Sequence, residues 1–184
     1  MIPVLIAYST TEGHTAKVAQ FMADALAGEG YRADLVDVGS TQARLVQPLY
    51  AAAIVGGSVH MGRHAADLSR FLKANAEWLA AVPLAVFSVS LTAAREDAAS
   101  RAAAQERIDD LLGGTGLVPV QSCRIAGALR FGEYGVVKRA LARSAARDLG
   151  AAQGADVEFT DWDHVRQFAI AFVRDHDGAP RAVA

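Results

Sequence analysis

The chain has 184 residues, enough for one domain with a sizeable core, and 52% of them are apolar, largely through alanine. Its 18 basic and 20 acidic side chains leave a formal charge of −2. That balance excludes a strongly basic nucleic-acid binder and argues against an acidic protein steered onto basic partners. Cys123 is the only cysteine, so no internal disulfide can form and a reducing compartment is expected.

The chain opens "MIPVLIAYS", which lacks a basic leader and reads as a first strand, not as a secretory peptide. No run reaches the roughly 18 apolar residues of a spanning helix, so a cytoplasmic protein is expected. After the strand, Val18, Phe21, Met22, Ala25 and Leu26 recur at helical spacing until the glycines at 28 and 30. "RADLVDVG" (32–39) and "AAAIVGGS" (51–58) supply strands two and three. Leu68, Phe71, Leu72 and Trp78 predict one helix, halted at Val82 and Pro83. "LAVFSVSL" (84–91) is a fourth strand, "AAAQERIDDLL" a helix, and "LVPVQSCRIAGAL" a fifth strand in which Cys123 has a small apolar role. "VVKRALARSAARDL" and "DWDHVRQFAIAFVRD" are the last helices, with Thr160 as expected N-cap of the second and Asp163 in the capping-box position.

Apolar strands alternating with helices imply a parallel sheet covered on both faces. The expectation is an α/β, doubly wound, five-stranded sheet of order 2-1-3-4-5 spanning residues 1–175, with a disordered tail at 176–184. Ligands of such sheets sit beyond the carboxyl ends of the strands. The loops after strands one, three and four are therefore the candidate site.

The first of these loops, "YSTTEGHT", carries Ser9, Thr10, Thr11 and Thr15 with Gly13 and no lysine or arginine. A bend leading into a helix offers unpaired N–H groups and the positive end of the helix dipole. Neither a P-loop lysine nor a dinucleotide glycine triplet is present, which disfavours a triphosphate or dinucleotide and favours a monophosphate. The same hydroxyls equally suit a plain helix cap, and the residues alone leave both readings open. His60 and His64 stand four apart without a third partner by spacing, so no metal site is expected. The plainer reading has His60 edging a ligand and His64 opening the next helix.

"YSTTEGHTAKVA" resembles the phosphate loop of flavodoxin-like proteins, which hold flavin mononucleotide (FMN). The resemblance implies that Ser9, Thr10, Thr11, Glu12, Gly13, His14 and Thr15 surround the phosphate; because a carboxylate beside a phosphate is unfavourable, the extra Glu12 side chain is expected to turn to solvent. It places Gly57, Ser58, Val59, His60, Met61 and Gly62 after strand three, and Ser88, Val89, Ser90 and Leu91 after strand four, against the isoalloxazine. In that reading the glycines at 57 and 62 allow close backbone approach, the two serines serve ring polar atoms, and Val89 and Leu91 give apolar contact.

"IVGGSVHMGRHAADLSRFLK", "FSVSLTAAR", "RIAGALRFGEYGVVKRALAR" and "VEFTDWDHVRQFA" together resemble the menaquinone-dependent protoporphyrinogen IX dehydrogenase family. That resemblance implies dehydrogenation of protoporphyrinogen IX in haem synthesis, with electrons passed to a membrane quinone or respiratory chain. It also implies an extended segment at about 128–154 and substrate-side roles for Arg95, Arg130 and Tyr134. A basic helix carrying Lys138, Arg139, Arg143 and Arg147 would contact the inner face of the cell membrane, or else simply cover the sheet. A homo-oligomer is compatible with this reading, and the catalytic residue is unassigned. The competing functions are a flavodoxin-type electron carrier, an NAD(P)H:quinone oxidoreductase of the same fold, and a flavin-free scaffold.

Overall fold

The computed structural model describes residues 3–40, 50–129 and 157–176. Five parallel strands form the sheet: β1 (Val4–Ser9), β2 (Ala33–Asp37), β3 (Ala52–His60), β5 (Leu84–Ser90) and β6 (Gln121–Ala126). Their spatial order is β2-β1-β3-β5-β6, which in parallel strands alone is the expected 2-1-3-4-5. The apolar runs form strands because both faces are covered. Val4 and Ile6 point to one face, where α1 (His14–Gly28) and α5 (Trp162–His176) bury Val18, Met22, Leu26, Phe168 and Phe172 against them. Leu5 and Ala7 point to the other, toward Leu68, Leu72, Leu79 and Ile108 of α2 (Ala66–Ala74), α3 (Ala76–Ala80) and α4 (Ala98–Leu112). Each fully buried large side chain contributes about 1.5–3 kcal/mol.

Local chemistry sets the ends of the helices. Past the C-terminus of α1, Gly30 (φ 85°) lets its own N–H and that of Tyr31 bond the carbonyls of Ala27 and Leu26. The single helix expected through Leu68, Phe71, Leu72 and Trp78 is instead two. Asn75 interrupts it by donating its side-chain amide to the Phe71 carbonyl (2.8 Å) and accepting the Trp78 indole N–H (2.8 Å). The expected cap of the last helix also differs. Asp161 accepts the His164 N–H at 2.9 Å, which leaves the Thr160 hydroxyl for the Ala126 carbonyl at 2.7 Å.

Residues 57–64 do more than loop. β3 runs on to His60 and folds back as β4 (Arg63–His64), pairing Val59 with His64 and His60 with Arg63. The two-residue turn needs positive φ at both positions, supplied by Met61 (49°) and Gly62 (77°). His64 therefore lies in a hairpin and does not open α2. Beyond β6, the short strand β7 (Ala128–Leu129) pairs antiparallel with β8 (Val157–Glu158). The expected substrate-side residues Arg130 and Tyr134, the basic residues Lys138, Arg139, Arg143 and Arg147, and the tail after His176 lie outside the described residues.

Candidate functional site

The sheet register gathers the three loops. Ser9 pairs with Gly57, Gly57 with Ser88, and Ser58 with Val89, so the bends after β1, β3 and β5 leave the same carboxyl edge side by side. Thr11 and Ser58 draw the first two together, their hydroxyl oxygens 3.5 Å apart.

The first bend enters α1 without a side-chain cap. Gly13 precedes α1 with φ 79°, no side chain caps the helix, and its first turn holds no acidic residue. The positive end of the helix dipole is thus left without a side-chain cap. The hydroxyls do not serve as caps. Instead, Thr10 Oγ1 and Thr15 Oγ1 are buried without a hydrogen-bond partner. Each such atom costs about 1–3 kcal/mol unless a ligand or water oxygen meets it. A phosphate monoester fits this donor set, which no lysine or arginine shares within residues 8–15. Ser9 is buried at the end of β1.

Glu12 departs from expectation, because its Oε1 is sheltered and does not face solvent. Thr11 is turned outward on one side and Gly13 takes a left-handed conformation on the other, so the bend swings the side chain between them inward.

The hairpin after β3 is stiffly held. Arg107 of α4 donates to the Gly62 carbonyl at 2.8 Å and pairs with Asp110 at 3.0 Å. His64 Nε2 lies 3.2 Å from the Ser88 hydroxyl, tying the hairpin to β5. Burial pushes the His64 pKa down to about 4, against a favourable Ser58 backbone contact; Arg107 lowers it further and Asp110 opposes that. The ring is therefore neutral near pH 7. At the tip, Met61 is 87% exposed, while Ser58, Val59 and His60 are partly buried.

Gly57 is closely packed on its Cβ side, where an added Cβ would lie 2.9 Å from Leu68 Cδ2 of α2.

On the third edge, Ser88 bonds His64, and Ser90 accepts the Ala93 N–H at 3.2 Å, capping a short 3-10 turn at Thr92–Ala94. Both serines thus brace the edge. Val89 is buried in the core on the α1 and α5 side, which leaves partly exposed Leu91 as the apolar residue beside the site. Arg95 is exposed, with Nε 3.9 Å from Asp97 Oδ2. Cys123 is buried in β6 with Sγ 3.3 Å from His164 Nε2, and burial raises its pKa to about 12, so it is an inert thiol. Among the described residues no group of three or more His, Cys, Asp or Glu could hold a metal ion.

Sequence reading missed one part of this edge. His14, taken only as a member of the loop, lies 2.8 Å through Nε2 from Thr160 Oγ1, 146 positions away. No local pattern announces a contact of that span.

An uncapped hydroxyl-lined bend with two braced loops beside it, on the carboxyl edge of a 2-1-3-4-5 sheet, defines a flavoprotein of the flavodoxin type. Residues 5–153 match the flavodoxin domain family. Among solved structures, a short-chain flavodoxin associated with a bacterial microcompartment superposes with TM-score 0.59 at 13% identity, covering 96% of this chain and 100% of that one. Oxidised flavodoxin 2 from Bacillus cereus gives 0.56 at 21%, covering 94% and 99%. Two relatives are each named protoporphyrinogen IX dehydrogenase (quinone). The protein from Leishmania major is 30% identical over 91% of this chain and 73% of its own length. The protein from Escherichia coli K12 is 29% identical over 93% and 96%. The chain belongs to the flavodoxin domain family, alongside these dehydrogenases, and is an FMN-dependent oxidoreductase.

Proposed function

We propose that the protein dehydrogenates protoporphyrinogen IX to protoporphyrin IX and passes the electrons to a quinone. The observation that carries this reading is the extent of its similarity to the Escherichia coli dehydrogenase. It covers 93% of this chain and 96% of that one, beyond the flavodoxin match that ends at residue 153. FMN supplies the two-electron acceptor that removing hydrogen from a porphyrinogen bridge requires. The chain's own part is binding, orientation and exclusion of water.

In this reading residues 9–15 hold the phosphate through the N–H groups of the first α1 turn and the Thr10 and Thr15 hydroxyls. The 58–62 hairpin and Leu91 flank the ring, kept in place by the Arg107 and His64 bonds. Arg95, Arg130 and Tyr134 are assigned to the substrate, whose propionates suit guanidinium groups. The basic residues Lys138, Arg139, Arg143 and Arg147 favour contact with an anionic membrane face, where a lipid-soluble quinone is reached.

The phosphate assignment is checked with Gly13→Val. A Cβ at Gly13 meets nothing within 4 Å, so the substitution acts through its φ of 79°, which a β-branched residue cannot hold without moving the bend. Purified variant protein is expected to carry little flavin and to bind added FMN at least about tenfold more weakly. Wild-type flavin content would remove the bend from the site.

The reaction is tested by mixing FMN-loaded protein with protoporphyrinogen IX anaerobically and adding a soluble quinone. Porphyrin fluorescence should grow only when flavin and quinone are both present. No growth, combined with rapid bleaching of the flavin by NADPH, would instead mark a pyridine-nucleotide:quinone oxidoreductase.

A further inference from the structure

Distant parts of the chain meet beside the 9–15 bend in a single line of hydrogen bonds. Thr160 Oγ1 lies 2.7 Å from the Ala126 carbonyl and 2.8 Å from His14 Nε2. A carbonyl can only accept, so the one hydroxyl proton of Thr160 goes to Ala126. The Thr160 oxygen must then receive the N–H of His14, which fixes that ring with its hydrogen on Nε2. The line runs from the first residue of α1, through the corner before α5, to the end of β6.

A box of side chains surrounds the imidazole. Glu158 of β8 accepts Lys17 Nζ and the Trp162 indole N–H, each at 2.8 Å, and places Oε2 3.8 Å from His14 Nδ1. Desolvation of Glu158 is outweighed by those hydrogen bonds and by the Lys17 charge, so its pKa is lowered and it stays ionised. The Trp162 ring stands edge-on to His14 with centroids 6.1 Å apart, and leans on Phe21 at 4.7 Å.

Docking α5 onto α1 does not need this line. Val165, Phe168, Ala169, Phe172 and Val173 already bury an apolar stripe against the α1 side of the sheet. A buried hydrogen bond adds only about 0.5–1.5 kcal/mol net, but it is directional. Here the directed group is the side chain of the residue immediately after Gly13. Its backbone lies in the helical turn whose N–H groups would meet the phosphate.

We propose that His14 and Thr160 are a positioning pair, through which phosphate binding at residues 9–15 and the seating of the 157–162 corner strengthen each other. The proposal rests on the assignment of that bend to the FMN phosphate. Linkage makes the effect reciprocal: whatever the seated corner adds to phosphate affinity, the phosphate adds to the stability of the corner. Riboflavin has the same ring and no phosphate, so it separates this coupling from ring binding.

Hydrogen exchange at the 157–162 amides is followed in the wild-type protein with FMN, with riboflavin and without ligand. FMN should slow exchange there and riboflavin should not. In Thr160→Val, which keeps the shape and removes the hydroxyl, FMN affinity should fall about tenfold. Riboflavin affinity should be unchanged and FMN should no longer protect the corner. Thr160→Ser and His14→Gln, which as single substitutions keep a hydroxyl and a side-chain donor respectively, should bind FMN nearly as tightly as the wild type. Equal protection by FMN and riboflavin in the wild type overturns the coupling without any variant being needed. A wild-type ratio of FMN to riboflavin affinity in folded Thr160→Val does the same. If FMN binds wild-type protein no more tightly than riboflavin, the phosphate assignment itself fails and the coupling fails with it.

Discussion

Gly56→Ala is expected to leave little soluble folded protein, or to lower stability by more than about 3 kcal/mol. Gly56 lies in the middle strand of the sheet, in register with Tyr8 on one side and Phe87 on the other. A Cβ there would stand 2.2 Å from the Phe87 carbonyl oxygen and 2.5 Å from two atoms of its ring. Neither can give way, because the carbonyl belongs to the adjoining central strand and the ring is fully buried. Other glycines of the edge set the scale. At Gly57 the nearest atom is the end of the Leu68 side chain at 2.9 Å, so alanine should cost about 1–2 kcal/mol. At Gly62 there is open space and only the positive φ matters, for about 1 kcal/mol. Thermal unfolding of the three variants should rank them in that order, with Gly56→Ala lower than wild type by roughly 10 °C if it folds at all. A Gly56→Ala protein as stable as Gly62→Ala would contradict the described packing of β3 on β5.

Acid should weaken the fold through His64. Its pKa falls from an ordinary 6.5 to about 4 in the folded chain, chiefly because burial disfavours the charged ring. Between those values the unfolded chain takes up a proton that the folded one refuses, so stability rises with pH across the window. His64 therefore imposes no penalty above about pH 6.5, and a loss reaching about 3 kcal/mol by about pH 4. Glu158 also disfavours acid, since its lowered pKa means that protonation gives up the Lys17 and Trp162 bonds. Comparison with His64→Gln isolates the histidine. The midpoint temperature should fall less steeply between about pH 7 and pH 4.5 in the variant than in the wild type. Parallel curves would show that the ring is not held neutral beneath the hairpin.

Much of this architecture is legible in the sequence for a simple reason. Strands covered on both faces must be nearly continuous apolar runs, and "PVLIAY" and "LAVFSV" are such runs between helical periods. The hydroxyl bend is legible because strand, glycine and helix lie next to one another. Illegible features depend on choices between equals. Thr160 and Asp161 are both good caps, and only the tertiary fold decides that Asp161 caps while Thr160 reaches Ala126. The Met61–Gly62 turn lacks an asparagine–glycine signature, so the return strand to His64 is hidden among polar residues. Asn75 divides a helical period because its side chain finds Phe71 and Trp78, which periodicity cannot register. Of the candidate site, the loops could be read, but the partners of Ser88 and Ser90 and the sheltering of Glu12 could not.

The small ribbon of β7 and β8 has a consequence for how such a protein can diversify. Pairing Ala128 with Glu158 and Leu129 with Val157 sets two points about 30 positions apart in the chain side by side. Whatever lies between can lengthen or shorten at an entropic penalty that grows only with the logarithm of its length. Recognition of a new reductant or a new oxidant can thus be grafted at one doorway, while the machinery that retains the cofactor is inherited untouched.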